Sequence, residues 1–274
     1  MKMVAENRIP RIADELAARV FNPGISGKLI DQLRAVEARC PKQTSLDEMP
    51  IRTIHHLSCT GGTLFTKCIA AMPNTVVLNE INPFSKMMIA KGKPAFTPTD
   101  MVALVRQGDR SLADHDTIKE LFLDNLAVLR RKCWLTGRVL VLRDHSHSQF
   151  LHGEMDEAMP TLRDIVAERF PVVSVVTTRK PENAFASMEK QGWHRHFEPA
   201  TFEEYERRVR QFEARFGETE MFSYEKLTRN PSKVMKALCK ALDLDFSSDF
   251  EQTFHAFRFS GDSGRGGNSI QPGR

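Results

Sequence analysis

The sequence has 274 residues, 41% of them hydrophobic and 27% charged, an ordinary globular composition with enough apolar side chain for one large α/β core. Lys and Arg total 39 against 35 Asp and Glu, a net charge of +4, and the basic residues form no run; this argues against a nucleic-acid or membrane-surface protein and leaves room for a small anionic ligand. The five cysteines are odd in number and lack CxxC spacing, no signal-type apolar region opens the chain, and no apolar stretch approaches the ~20 residues of a membrane span, so the expectation is a reduced, cytoplasmic protein without disulfides.

Residues 1–49 carry Ile9, Ile12, Leu16 and Val20 at helical spacing, with a break at Asn22-Pro23-Gly24. They are predicted to form a helical N-terminal extension packed on a main domain at 50–274. Ile51–Leu57 reads as a strand, Ser58–Gly62 as a loop and Thr63–Met72 as a helix. Thr75–Asn79 is a second short strand ended by Glu80. Residues 99–132 are mostly helical, with Leu121, Leu126 and Leu129 on one side. Arg138–Arg143 is an apolar run between charges, suited to a strand buried on both faces. A helix over 156–169 precedes Val172–Thr178, the strongest strand signal in the chain. Pro181 then opens a helix that Gly192 stops. Helices over 201–216 and 231–242 flank a short strand at Glu220–Ser223, and the tail from Ser260 is rich in Gly and Ser.

Strands alternating with helices imply βαβ units: an α/β fold with a parallel central sheet flanked by helices, a P-loop-like three-layer sandwich. Ligands of such sheets bind beyond the carboxyl ends of the strands. That rule selects Ser58–Thr63, Asn79–Asn82, Arg143–His147 and Arg179–Ser187.

In Ser58-Cys59-Thr60-Gly61-Gly62-Thr63, adjacent glycines after a strand let several N–H groups converge, and the helix that follows adds its unsatisfied donors and positive dipole end. The hydroxyls of Ser58, Thr60 and Thr63 can donate as well. The segment suits a phosphate or sulfate; it also suits a plain tight βα turn. No GxxxxGK[ST] is present and no Lys follows the second glycine, which disfavours an ordinary magnesium–ATP site. Arg179 follows the Val172–Thr178 strand, and Ser187 lies on the helix opened by Pro181. A guanidinium fork and a hydroxyl so placed can hold a second phosphate; taken alone, Arg179 equally reads as a solvent-exposed strand end.

Together these segments resemble the PAPS-dependent sulfotransferase family over roughly residues 51 to 265. Ser58 to Leu64 looks like the family's 5′-phosphosulfate loop. Val175-Val176-Thr177-Thr178-Arg179-Lys180-Pro181 through Ser187 looks like its 3′-phosphate strand–turn–helix. Phe222-Ser223-Tyr224-Glu225-Lys226-Leu227, before Asn230-Pro231, is similar to the family's Tyr-Glu-x-Leu segment. Phe259-Ser260-Gly261-Asp262-Ser263-Gly264-Arg265 resembles the tail that closes over the nucleotide. The resemblance implies PAPS as co-substrate and PAP as product. It implies nucleotide contacts from Ser58, Cys59, Thr60, Gly61, Gly62, Thr63, Leu64, Arg179, Ser187, Tyr224, Gly261 and Arg265. It also implies that no metal is needed. One departure stands out. The family carries Lys or Arg where this chain has Cys59, with Lys67, Arg143 and Arg265 as candidate substitutes and Cys59 itself read as a packing residue.

Sulfuryl transfer needs a base across the cradle from the leaving group. Glu80 ends the neighbouring strand, and some branches of the family use a Glu. His145 follows the Arg138–Arg143 strand with Asp144 beside it as an orienting group, and the cytosolic branches use a His there; His147 is a third candidate. The histidine pairs lack convincing ligand spacing for zinc. The acceptor is expected to be a hydroxyl or amine of a small molecule or glycan. A nucleotide-dependent kinase and a non-catalytic nucleotide-binding protein of the same fold remain the alternatives. Trp193-His194-Arg195-His196 reads either as acceptor-pocket lining or as an exposed loop.

Overall fold

The structure is a computed structural model that describes residues 45–85, 87, 100–108 and 110–259. The expected helices of the N-terminal extension and the tail with Gly261 and Arg265 lie outside the described residues. The chain divides into Met1–Met49 and Pro50–Arg274, and the α/β layers belong to the second unit. No helix among the described residues is long and apolar enough to cross a membrane.

The strands are β1 (Ile51–His56), β2 (Thr75–Ile81), β3 (Val139–Asp144), β4 (Val172–Thr178) and β5 (Glu220–Ser223). They form one five-stranded sheet in the order β2-β3-β1-β4-β5, and every pairing is parallel. This is the expected architecture. The helices are α1 (Gly62–Ala70), α2 (Met101–Gly108), α3 (His115–Leu135), α4 (His147–Phe150), α5 (Leu162–Ala167), α6 (Pro181–Gln191), α7 (Phe202–Arg215), α8 (Tyr224–Arg229), α9 (Pro231–Ala241) and α10 (Phe250–Thr253).

Alternation along the strands divides the core. Ile54, Val141, Val175 and Phe222 face α1 and α9, packing on Leu64, Phe65, Cys68, Ile69, Met235 and Leu238. On the opposite face Leu57 and Val176 meet α6 and α7 through Ala184, Phe185, Met188, Tyr205 and Phe212. β1, central and flanked on both sides, is buried along its whole length, as parallel strands covered by helices require.

Several expected elements differ in extent. The 156–169 helix shrinks to α5, because the Thr161 hydroxyl and the Asp164 carboxylate form a reciprocal capping box that starts it at Leu162. α3 buries Ile118, Phe122, Leu123, Leu126 and Cys133, whereas Leu129, read on one side with Leu121 and Leu126, is exposed. β2 runs to Ile81 rather than stopping at Asn79, with its register shifted between Leu78 and Ile81 and Glu80 at φ 53°. This is a bulge that re-aims a side chain at the sheet's rim.

Polar side chains inside the sheet satisfy one another. Thr53 Oγ1 and Ser174 Oγ are 2.7 Å apart, and Thr53 Oγ1 lies 2.9 Å from His55 Nε2. His55 Nδ1 is 2.8 Å from Asp144 Oδ2. Asp144 also accepts from the Ser146 hydroxyl at 2.7 Å and from Asn82 Nδ2 at 3.1 Å. A fully satisfied network of this kind ties β1, β3 and β4 together, and it is costly to break because the dielectric is low.

Asp144→Ala removes the shared acceptor of His55, Ser146 and Asn82. It should lower stability by about 3 kcal/mol or more, since three buried groups lose their hydrogen-bond partner. Urea unfolding followed by circular dichroism should show a lower midpoint with an unchanged slope.

Candidate active site

The order β2-β3-β1-β4-β5 sends the chain leaving β1 toward β2 and the chain leaving β4 toward β5, in opposite directions across the sheet. Neighbouring strands whose connections diverge leave a crevice beyond their carboxyl ends. Ser58–Gly61 follows β1 and Arg179 follows β4, so this crevice gathers both anion-binding candidates.

The Leu57 carbonyl organises the loop. It accepts the Thr60 hydroxyl at 2.7 Å and His56 Nδ1 at 3.0 Å, and the Thr60 amide lies 3.4 Å away. The Thr60 proton is thereby committed within the loop, so Thr60 shapes the cradle rather than donating from it. Ser58 and Thr63 are half-buried. Leu64 is buried in the core beneath. Gly61 adopts φ 87° at the N-cap of α1 without a side-chain cap, and the first turn holds no acid. The starting amides and the positive dipole end therefore face outward without an internal carboxylate.

Both glycines are demanded by their neighbours. A Cβ on Gly61 would stand 2.2 Å from Tyr224 Cδ2, and one on Gly62 would stand 2.6 Å from the His56 ring. Cys59 itself sits at φ 63°, a left-handed conformation that costs a non-glycine residue about 1–2 kcal/mol. Its side chain packs against the apolar cluster of Leu57, Val176 and Tyr205. Arg179 contributes to holding this conformation, since its Nη1 donates to the Cys59 carbonyl at 2.9 Å.

That same Nη1 lies 3.2 Å from Ser187 Oγ, and the guanidinium carbon sits 5.0 Å from the Tyr224 ring centroid. Arg179 Nε is buried without a partner among the described residues. Arg179 and Tyr224 therefore meet the cradle directly, and Ser187 adjoins it through Arg179. Glu225, the second residue of the Tyr-Glu pair, accepts the Lys180 amide at 3.0 Å and the Ser223 hydroxyl at 2.7 Å. It locks the β4–α6 turn to α8, a structural role that the pairing of Tyr224 with Glu225 in the sequence does not by itself reveal.

Of the substitute cations for Cys59, Lys67 is buried on α1 and Arg265 lies outside the described residues. Arg143 is buried at the carboxyl end of β3. Its Nε donates to His56 Nε2 at 2.7 Å, its Nη1 donates to Asn79 Oδ1 at 2.7 Å, and its Nη2 is 3.4 Å from Glu80 Oε1. His56, which the sequence reading did not single out for the site, thus links the cation to the underside of Gly62. The only sequence signal for it is a histidine placed in an apolar strand.

The three base candidates converge on this arginine. Burial raises the Glu80 pKa, with Arg143 pulling the other way. His145 Nδ1 is 2.7 Å from Ser85 Oγ, and its ring meets His147 edge-on at 4.1 Å. His147 in turn lies 5.9 Å from His56, and its Nδ1 is buried without a partner among the described residues. Asp144, expected to orient His145, does not. Its carboxylate is taken by His55, Ser146 and Asn82, and Ser85 occupies the His145 ring nitrogen instead. Among the described residues no three His, Cys, Asp or Glu side chains gather as a metal-ligand group. His196 of the Trp193–His196 turn belongs to a cleft lined by Gly153, Arg195, Glu198 and Arg208.

Burial is the main cause that lowers the pKa of His56, His145 and His147, reinforced in each by Arg143. These rings therefore resist protonation in the folded protein, while in the unfolded chain they take up protons near pH 6.5. Below that pH the unfolded state binds more protons, so stability is lost as pH falls, by up to about 1.4 kcal/mol per pH unit for each ring. Unfolding free energies measured at pH 7.5 and 5.5 should show this loss, and His147→Gln should reduce it by about 1 kcal/mol or more.

No family model and no curated protein matches the sequence. Among solved structures, the chain is similar to the sulfotransferase domain of the Synechococcus PCC 7002 olefin synthase, at 16% identity and a TM-score of 0.52 over 81% of this chain and 83% of that one. The protein has a sulfotransferase-type α/β fold.

Proposed function

We propose that this protein is a sulfotransferase that moves a sulfuryl group from PAPS to a hydroxyl or amine acceptor of a small molecule or glycan. One observation carries the reading. Arg179 Nη1 bridges the Cys59 carbonyl and the Ser187 hydroxyl while its Nε stays buried and unpartnered, so a cradle for one anion and a guanidinium for a second stand side by side. Two phosphate groups on one nucleotide fit that pair, and the Tyr224 ring packs against both.

In the reaction, the acceptor oxygen or nitrogen forms a bond to sulfur as the bond from sulfur to the 5′-phosphate oxygen breaks. The electron pair of that bond stays on the phosphate, releasing PAP, and the acceptor proton passes to a base. Preorganised amides at the start of α1 stabilise the charge that grows on the leaving oxygen. Arg143, held by His56 and Asn79, supplies positive charge near the position where Cys59 offers none. The base is Glu80 or His145, with His147, packed against the His145 and His56 rings, as the third candidate.

A second reading is a non-catalytic nucleotide-binding protein of this fold, favoured by the apolar packing of Cys59. Turnover decides between the two. Glu80→Gln and His145→Asn should each lower kcat, the true base by about 100-fold or more, while PAP affinity stays within about twofold. Full activity in both variants overturns the assignment of the base.

Isothermal titration with PAP in the absence of magnesium tests the reading itself. Binding is expected, and Arg179→Ala should weaken PAP by about 10–100-fold, the worth of a charge-assisted contact. AMP, which lacks the 3′-phosphate, should lose far less. No PAP binding by the unaltered protein overturns the proposal, and equal losses for both nucleotides make Arg179 purely structural.

A further inference from the structure

The turn after β2 has a role that the sequence did not announce. Asn82 reaches back to the sheet, donating from Nδ2 to Asp144 Oδ1 at 3.1 Å. Its own Oδ1 accepts the Phe84 amide at 2.9 Å, and its carbonyl accepts the Ser85 amide at 3.2 Å. Phe84 is buried and stacks on His115 with centroids 4.4 Å apart. The turn is therefore fixed at Asn82 by the Asp144 network and at Phe84 by ring packing, and the next residue, Ser85, holds its hydroxyl 2.7 Å from His145 Nδ1. The Met87 amide donates to the same Ser85 oxygen at 3.4 Å.

We infer that Ser85 is a positioning residue: it accepts the Nδ1–H of His145, fixes that tautomer, and leaves Nε2 bare as the base of the transfer reaction. The inference rests on the sulfotransferase reading, which needs a proton-free Nε2; the 2.7 Å contact itself fits either direction of donation. It selects His145 over Glu80, whose carboxylate faces Arg143. Nε2 of His145 has no partner among the described residues and is not one of the buried unpartnered atoms, so it is the ring nitrogen open to an acceptor. In the step, the acceptor proton moves to Nε2 while Nδ1–H continues to donate to Ser85 Oγ, and the imidazolium so formed keeps its hydrogen bond. Neither ring nitrogen then needs to exchange a proton with Ser85, so turnover regenerates the base by losing only the Nε2 proton to solvent or product. Asp144 acts at one remove, through Asn82 and the turn, rather than on the histidine.

Long-range proton–nitrogen NMR on uniformly ¹⁵N-labelled protein, with the His145 signals assigned by their loss in His145→Gln, reads the tautomer directly. The unaltered protein should carry the proton on Nδ1, against the Nε2–H preference of an unconstrained histidine side chain. Ser85→Ala should move His145 toward Nε2–H and lower kcat by about 10–100-fold, part of the contribution of a general base, with PAP affinity unchanged; Ser85→Thr should restore both. An Nε2–H tautomer in the unaltered protein, or a tautomer indifferent to Ser85→Ala, overturns the inference. So does an unchanged kcat in Ser85→Ala. Because the tautomer is read without substrate, an unaltered protein that shows the Nδ1–H form but no turnover with PAPS overturns the sulfotransferase reading and leaves the hydrogen bond standing.

Discussion

The candidate site depends on how closely two rings approach a pair of glycines. Tyr224 leaves no room for a Cβ on Gly61, and His56 leaves none on Gly62. Pressed from both sides, the loop has one height above the sheet, and the first amides of α1 have one aim. Each ring also carries a charge partner: Tyr224 lies under the Arg179 guanidinium, and His56 accepts from Arg143. The packing that shapes the cradle therefore places two cations around it, one at the end of β4 and one at the end of β3.

This arrangement explains how a loop with cysteine at the expected cation position keeps the fold around it. The Cys59 carbonyl is gripped from outside by Arg179, and its side chain is absorbed into the apolar cluster of α6 and α7. Positive charge enters instead from beneath, through a buried arginine whose neighbour is a neutral imidazole. A protonated His56 would repel Arg143 and lose its acceptor nitrogen, so burial, which holds the ring neutral, also keeps the arginine in place.

Much of the architecture was legible because the strands are short apolar runs with charged or glycine-rich ends. Val172–Thr178 and Glu220–Ser223 match the structure residue for residue, and Pro181 and Gly192 bound α6 as read. The meeting of Arg179 with Ser187 was legible for the same reason, since a strand end and a helix position fix the spacing. Three features were not. The bulge that carries β2 past Glu80 depends on pairing with β3, which no local pattern encodes. Asp144 precedes His145 in sequence, yet its partners are Ser146 and, from distant elements, His55 of β1 and Asn82 of the turn after β2. Ser85 lies sixty residues from the histidine it touches, and a serine in a turn has no signature of its own.

Strand order carries a consequence for how this protein comes to be competent. β1 is laid down early in the chain, but its partner on one side, β4, arrives 120 residues later by the measure of the Arg179–Cys59 contact. Parallel sheets with such distant neighbours assemble slowly, because loop closure precedes the contacts that reward it. The candidate crevice beyond β1 and β4 straddles that seam. Under the proposed function, a nucleotide held there would bind only chains in which β1 and β4 are paired, and by binding them would draw the folding equilibrium toward the native state.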